Sequence, residues 1–266
     1  MDSAYANTGE LLRTDSGGIA TLTLNRPQQF NALSISLLDA LQRELDRIAG
    51  DDSVRVVVLA GNGKAFCAGH DLKEIRAHGG SAFAEDVFGR CSRIMLSLTR
   101  MPQPTIARVH GFAFAAGCQL VAQSDLAVAA RGAQFATSGV KFGLFCNTPG
   151  VALARNVSRK QALEMLLTGE AIDAETALAR GLLNRVVEAE ALDQEIQKLC
   201  QMIIDKTPVA VASGKRTFYE QLETGLEDAY ALATQSMVCN VMTEDAAEAS
   251  TLLPRNENRC GGAGDR

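Results

Sequence analysis

Along the first half of the chain the spacing of apolar residues switches repeatedly between two periods. Leu11 to Thr14 and then Ile19 to Leu24, where Ala20, Leu22 and Leu24 alternate with Ile19, Thr21 and Thr23, carry the period of two that marks strands. Gly17-Gly18 between them predicts a hairpin. Leu37, Leu41, Leu45 and Ile48 then recur at helical spacing, with Ser34 or Ser36 as N-cap and Gly50 as stop. Val54 to Ala60 is a short continuous apolar run, as expected of a strand buried on both faces. A glycine-punctuated loop, Gly61 to Asp71, leads to a helix whose apolar face carries Phe83, Val87, Cys91, Ile94 and Leu98 and which Pro102 and Pro104 break.

Thr105 to Val109 predicts another buried strand, closed by His110-Gly111. Small residues (Ala113, Ala115, Ala116, Gly117) then pass into a helical run through Val121, and Leu126 to Ala129 and Gln134 to Ala136 read as short strands. From Arg159 onward the chain reads as helix after helix, punctuated by Pro208 and Gly225. Strands alternating with helices, followed by a helical third, predict an α/β layered core with a helical C-terminal region. The expected divisions are a core over 1–205, a helical region over 206–258 and a disordered glycine-rich tail over 259–266.

Composition narrows the functional classes. The 266 residues are 47% hydrophobic and 21% charged, which is ordinary for a globular protein. A net charge of -5 argues against a nucleic-acid surface. No apolar run is long enough to span a bilayer, and residues 1–15 show no secretory or transit pattern, so a cytoplasmic protein is expected. Seven scattered cysteines lack metal-ligand spacing and are expected as reduced, mostly buried thiols; no metal site is expected.

Two loops stand out as chemistry. In Ala68-Gly69-His70-Asp71-Leu72-Lys73 and in Gly111 to Gln119, small residues sit where a strand gives way to a helix. Such residues serve tight helix–strand packing, or let a helix N-terminus present free N–H groups to a ligand oxygen. Two N–H groups aimed at one oxygen make an oxyanion hole.

Together the loops resemble the crotonase (enoyl-CoA hydratase/isomerase) superfamily. The matching pieces are LNRPQQFNALS at 24–34, AGNGKAFCAGHDLKE at 60–74, PTIARVHGFAFAAGCQLVAQSDLAVAA at 104–130, AQFA at 133–136 and LTGEAIDAETALARGLLNRVV at 167–187. The resemblance implies a spiral core of repeated ββα units, homotrimers or hexamers, and a coenzyme A thioester as substrate or ligand with no further cofactor. It places the oxyanion donors at the backbone N–H groups of His70 and Ala116, and substrate contacts at Ala68, His70, Asp71, Leu72, Lys73, Ala116 and Asn147. The two glutamates that drive hydration fall at Gln119 and Gly139, which cannot transfer a proton.

Gly69-His70-Asp71 is similar to a decarboxylase branch of that family, whose chemistry generates a thioester enolate. That branch has a tyrosine where this chain has Cys146, a departure that reads rather as a small buried filler. Three readings follow: an acyl-CoA enzyme relying on its oxyanion hole with hydration impaired, a malonyl-type decarboxylase, or a non-catalytic acyl-CoA binder. Asp125 is expected to cap a turn, Glu74 to face solvent or a neighbouring subunit, and Lys215, Arg216 or Arg255 to hold the CoA phosphates. Phe83, Val87, Phe88, Phe142 and Phe145 are candidates for the pocket wall.

Overall fold

The computed structural model describes residues 9–243. Arg255, Cys260 and the expected tail 259–266 lie outside the described residues. β1 (Leu11–Ser16) and β2 (Ile19–Leu24) form the expected antiparallel hairpin, with Leu11 opposite Leu24. α1 (Ile35–Ala49) starts where the Ser34 hydroxyl accepts the Leu37 N–H and stops at Gly50, burying Leu37, Leu41, Leu45 and Ile48.

Next in order come β3 (Val56–Gly61), β4 (Ala65–Cys67), α2 (Leu72–His78) and α3 (Ser81–Arg100). β5 (Thr105–Val109), β6 (Phe112–Phe114) and α4 (Ala116–Gln123) follow. Then come β7 (Leu126–Ala130), β8 (Gln134–Ala136), a 3-10 turn at Ser138–Phe142 and α5 (Asn147–Asn156). After α1, therefore, two strands are followed by helix three more times, and the pattern is a ββα repeat in which β3–β4, β5–β6 and β7–β8 are the pairs. The first strand of each pair joins one sheet and the second joins another. The six-stranded sheet runs β1-β2-β3-β5-β7-β10 and the four-stranded sheet β4-β6-β8-β9, so the chain spirals between them. The neighbours β3, β5 and β7 are parallel, as are β4, β6 and β8.

The third quarter contains α6 (Arg159–Thr168), β9 (Ile172–Asp173), α7 (Ala174–Ala179) and β10 (Arg185–Val187). α8 (Leu192–Ile204), α9 (Pro208–Gln221) and α10 (Leu226–Val241) complete the described chain. β3 is buried on both faces, as its unbroken apolar run requires. Val57 and Leu59 join the large core with α1, α3 and α4, while Val56 and Val58 pack with Leu192, Ile196 and Leu199 of α8. The chain divides into two compact units between Arg216 and Thr217. In the second, α10 buries Ala229 and exposes Leu226, Tyr230, Met237, Val238 and Val241.

Some expectations need correction. The stretch from Gly61 to Asp71 is not all loop, since it holds β4; the small residues before α4 include β6. Helix begins before Arg159, at α5, and the helical stretch after it is interrupted by β9 and β10. Each missed strand is two or three residues long, too short to show a period. Val87 is 1% exposed and belongs to the core, so it cannot line a pocket.

Candidate active site

The site grows from the ends of β4 and β6, parallel neighbours with Cys67 opposite Ala113. The chain leaving β4 passes through Gly69, whose φ is +100°, a left-handed conformation that favours glycine. A β-carbon there would lie 2.9 Å from the Ala115 Cβ and 3.2 Å from the Ala116 N. Gly117 presses the other way: a β-carbon on it would meet the Cys67 carbonyl oxygen at 2.1 Å. The two loops therefore touch main chain to main chain, which explains the small residues on both. Ala115 adopts φ 49°, ψ -117°, a strained conformation for a residue with a side chain. Its N–H donates to Ala136 O at 2.8 Å, which fixes the turn and makes Ala116 the first residue of α4.

This turn leaves two donors unused. Gly69 O accepts the Leu33 N–H and Leu33 O accepts the Asp71 N–H, at 2.8 and 3.0 Å, straddling His70. Among the described residues neither the His70 N–H nor the Ala116 N–H has an acceptor. Ala116 stands at a helix N-terminus, where the first N–H groups lack intrahelical partners. Two such neighbouring donors can stabilise negative charge on one oxygen.

The remaining expected contacts divide into main chain and side chain. Ala68 and Leu72 are half-buried, and the Lys73 side chain is exposed. The Asp71 carboxylate caps α2, accepting the Lys73 and Glu74 N–H groups, and pairs with Arg26 at 3.0 Å. Burial pulls this carboxyl upward, but the Glu74 N–H and the Arg26 guanidinium outweigh it and hold it below the usual range. Its side chain is thus committed to structure. Glu74 does not simply face solvent: its Oε2 accepts the Ile35 N–H at 3.0 Å at the start of α1. Asn31, fully buried, donates to the carbonyls of Ala65 and Phe66, so the 24–34 motif anchors β4.

Three polar atoms without partners lie beyond the C-terminal ends of the adjacent strands β4, β6 and β8. They are His70 Nε2, Gln119 Oε1 and Thr137 Oγ1. Gln119 is 4% exposed and Thr137 is fully buried. A buried polar atom without a partner costs about 1–3 kcal/mol, so three from adjacent strand ends call for an explanation. The His70 ring stands edge-on to Phe88, with centroids 5.0 Å apart, and burial pushes its pKa down to about 4. It is a neutral imidazole near pH 7. Thr137 is the residue that sequence reasoning missed; it lies between two quoted pieces, AQFA and Gly139, with only its polarity after a buried strand to mark it.

Gly139 is closed rather than vacant. A β-carbon there would lie 2.4 Å from Leu144 O and 2.7 Å from Cys146 Sγ. The Leu144 N–H donates to Gly139 O at 3.0 Å and holds this turn. Cys146 is 8% exposed, and burial raises its thiol pKa, so it fills space as a neutral group. Asn147, at the start of α5, is exposed, with its Nδ2 3.4 Å from Phe145 O.

Other candidates stand apart. Asp125 accepts from the Thr105 N–H, the Thr105 hydroxyl and Lys215 Nζ, so it is part of a buried ion pair rather than a simple turn cap. Lys215 Nζ also donates to Leu98 O and Gln103 O, which leaves it no donor for a phosphate. Arg216 is exposed. Phe142 and Phe145 are 67% and 41% exposed, and Phe83 stacks on His78. Among the described residues no cluster of metal-ligating side chains occurs, and no helix is long and apolar enough to cross a membrane.

The ββα spiral and the paired free N–H groups define a class, and comparison with known proteins agrees. The profile of the enoyl-CoA hydratase/isomerase family matches residues 14–252, and the chain belongs to that family. Enoyl-CoA hydratase domain-containing protein 3, mitochondrial, from Xenopus laevis is 46% identical over 231 residues, covering 87% of this chain and 79% of that one. The crystal structure of an enoyl-CoA hydratase from Mycobacterium smegmatis is similar with a TM-score of 0.90 and 55% identity, covering 91% of this chain and 95% of that one. Human enoyl Coenzyme A hydratase domain-containing protein 3 gives a TM-score of 0.89 and 43% identity over 91% of this chain and 96% of its own.

Proposed function

We propose that this protein binds an acyl-CoA thioester with its carbonyl oxygen on the His70 and Ala116 N–H groups, stabilises the enolate of that thioester, and does not perform ordinary hydration. The observation that carries the reading is the pair of unused main-chain donors beside a second-glutamate position closed by Leu144 O and Cys146 Sγ. Hydration needs a group that activates water and one that protonates carbon, and Gln119 and Gly139 supply neither. Ala68, Asp71, Leu72 and Lys73 serve the ligand through their main chain, since the Asp71 carboxylate is already committed. Asn147 is proposed as a contact at the rim.

Decarboxylation of a carboxyacyl-CoA is favoured as a second reading by the neutral polar groups at the acyl end. Breaking the C–C bond sends its electron pair toward the carbonyl oxygen and releases carbon dioxide, so no base is required. A site without glutamates also avoids repelling the substrate carboxylate. The apolar exposed face of α10 supports a homotrimer as part of the proposal, checked by light scattering for three chain masses.

Titration calorimetry with butyryl-CoA, malonyl-CoA and free CoA tests the reading. Tighter binding of either thioester than of CoA is expected, because only a thioester presents the carbonyl. Equal affinity for all three, or none, would overturn it. Carbon dioxide release from malonyl-CoA separates the two readings.

A further inference from the structure

The outer face of the six-stranded sheet changes character along its strands. Where α8 covers it, Ile19, Val56, Val58 and Ile106 pack with Leu192, Ile196 and Leu199. Farther along β2, β3 and β5 the same face turns to Thr23, Ala60 and Arg108, since alternate residues of a strand share a face. Here α8 stands over the sheet without filling the space, and a cavity of about 350 Å³ remains. That volume is in the range of small-molecule sites. Its floor is the short side chain of Ala60, with Thr23 opposite on β2. β5 flanks β3 on the other side, so Thr23 and Arg108 stand two strand spacings apart, roughly 10 Å, across a single methyl group. Asp193 and Gln197, one turn apart on α8, form the wall above them.

Two charged groups line this cavity, and they are unequal. Arg108 Nε donates to Asp193 Oδ1 at 2.5 Å, which fixes the guanidinium and uses one of its edges. Among the described residues its two Nη groups have no hydrogen-bond partner, and neither is sealed from solvent. The Asp193 side chain is 79% exposed and that of Arg108 22%, so water and salt screen the carboxylate more than the guanidinium. An open Nη pair offers two parallel donors, the geometry that fits two oxygens of a carboxylate or phosphate. The half-buried Thr21 and Thr23 add hydroxyls that can bond a hydroxyl of the same ligand.

We propose that this cavity is a second binding site for a small hydroxylated organic anion, whose carboxylate or phosphate sits on the two Arg108 Nη groups. It is separate from the acyl-CoA site, which is built on the four-stranded sheet.

Glycerol 3-phosphate, glycerate and glycerol share a hydroxylated framework and differ in the anion. In titration calorimetry at low salt, the phosphate, the carboxylate or both are expected to bind at least about tenfold more tightly than glycerol. Which of the two binds identifies the oxyanion. Arg108→Gln is expected to abolish the preference over glycerol. Arg108→Lys, which keeps the charge without the paired donors, is expected to weaken it. Ala60→Leu, which fills the floor and leaves Arg108 in place, is expected to abolish binding of the anions. Circular dichroism and melting temperature verify that each variant folds. Saturating butyryl-CoA is expected to leave the affinity for the anion unchanged. No binding at millimolar concentration, equal affinity for glycerol, or binding that survives Arg108→Gln or Ala60→Leu would overturn the proposal. So would displacement of the anion by butyryl-CoA.

Discussion

The two halves of the candidate site are built from different material. On one side, the loops after β4 and β6 present main-chain N–H groups, held by Gly69 pressed on Ala115 and by Gly117 pressed on Cys67. On the other stand Gln119 and the turn from Ser138 to Leu144, where the proposed reading places the two carboxylates of an ordinary hydratase. The first half depends on backbone geometry and persists as long as small residues allow the loops to touch. The second depends on side-chain identity, and the proposed reading has it altered in two ways. Gln119 has the shape of a glutamate and cannot transfer a proton. Gly139 leaves no space for a side chain, because Leu144 O and Cys146 Sγ occupy it. Under that reading a polarising site and an acid–base site part company, since they rest on separate physical foundations.

The comparison is broken most severely at Gly69. Gly69→Ala must place a β-carbon 2.9 Å from the Ala115 Cβ, on a residue with φ +100°. It is expected to cost about 1–3 kcal/mol in backbone strain alone and to lower acyl-CoA affinity at least about tenfold, measured by urea denaturation and calorimetry. Unchanged affinity would show that the contact between the loops does not position the donors.

The other half is sharpened by substitutions at Gln119 and Gly139. Gln119→Glu is expected to fold with a melting point within a few degrees of the parent. Gly139→Glu is expected to lower stability by about 1–3 kcal/mol, because a backbone carbonyl must move. Differential scanning calorimetry separates the two, and equal stability would contradict the closure at Gly139.

A smaller effect is expected from pH. His70 is buried as the neutral ring, with its pKa lowered from 6.5 to about 4. Between these values the unfolded chain binds the proton and the folded one does not, so stability falls as pH drops through that window. This group alone contributes at most about 1.4 kcal/mol per pH unit. Burial also lowers His110, whose Nε2 lies 2.9 Å from Gly63 O, so it adds a loss of the same sign. His70→Gln is expected to flatten the acid limb of a melting-temperature profile while His110 maintains the rest. An unchanged slope would show that the His70 ring is not desolvated.

The sequence carried the longer elements and the small residues that bring the two loops together. The β1–β2 hairpin, α1, β3, β5 and β7 each follow from a repeated apolar spacing with a cap or breaker at its end. β4, β6 and β9 did not, because two or three residues cannot display a period and their pairing is with distant strands. The close contact of the two loops at Gly69 and Gly117 was legible through small-residue spacing, and the roles proposed for His70 and Ala116 rest on the motif. Thr137 was not, since a lone threonine after a strand carries no pattern. The commitment of Lys215 to Asp125 was hidden as well, because the two are far apart in the chain and meet only through the fold. The same holds for Gly139: its identity was legible, but the carbonyl and thiol that close it belong to the turn that follows.

Turnover of crotonyl-CoA by the natural protein, by Gln119→Glu and by the Gln119→Glu, Gly139→Glu double variant tests the central claim most directly. Negligible hydration is predicted for all three, because the second carboxylate cannot reach its place past Leu144 O. Hydration at an ordinary enzymatic rate by the natural protein would contradict the claim that no acid–base pair remains. Hydration gained by the double variant would contradict the closure of the Gly139 position.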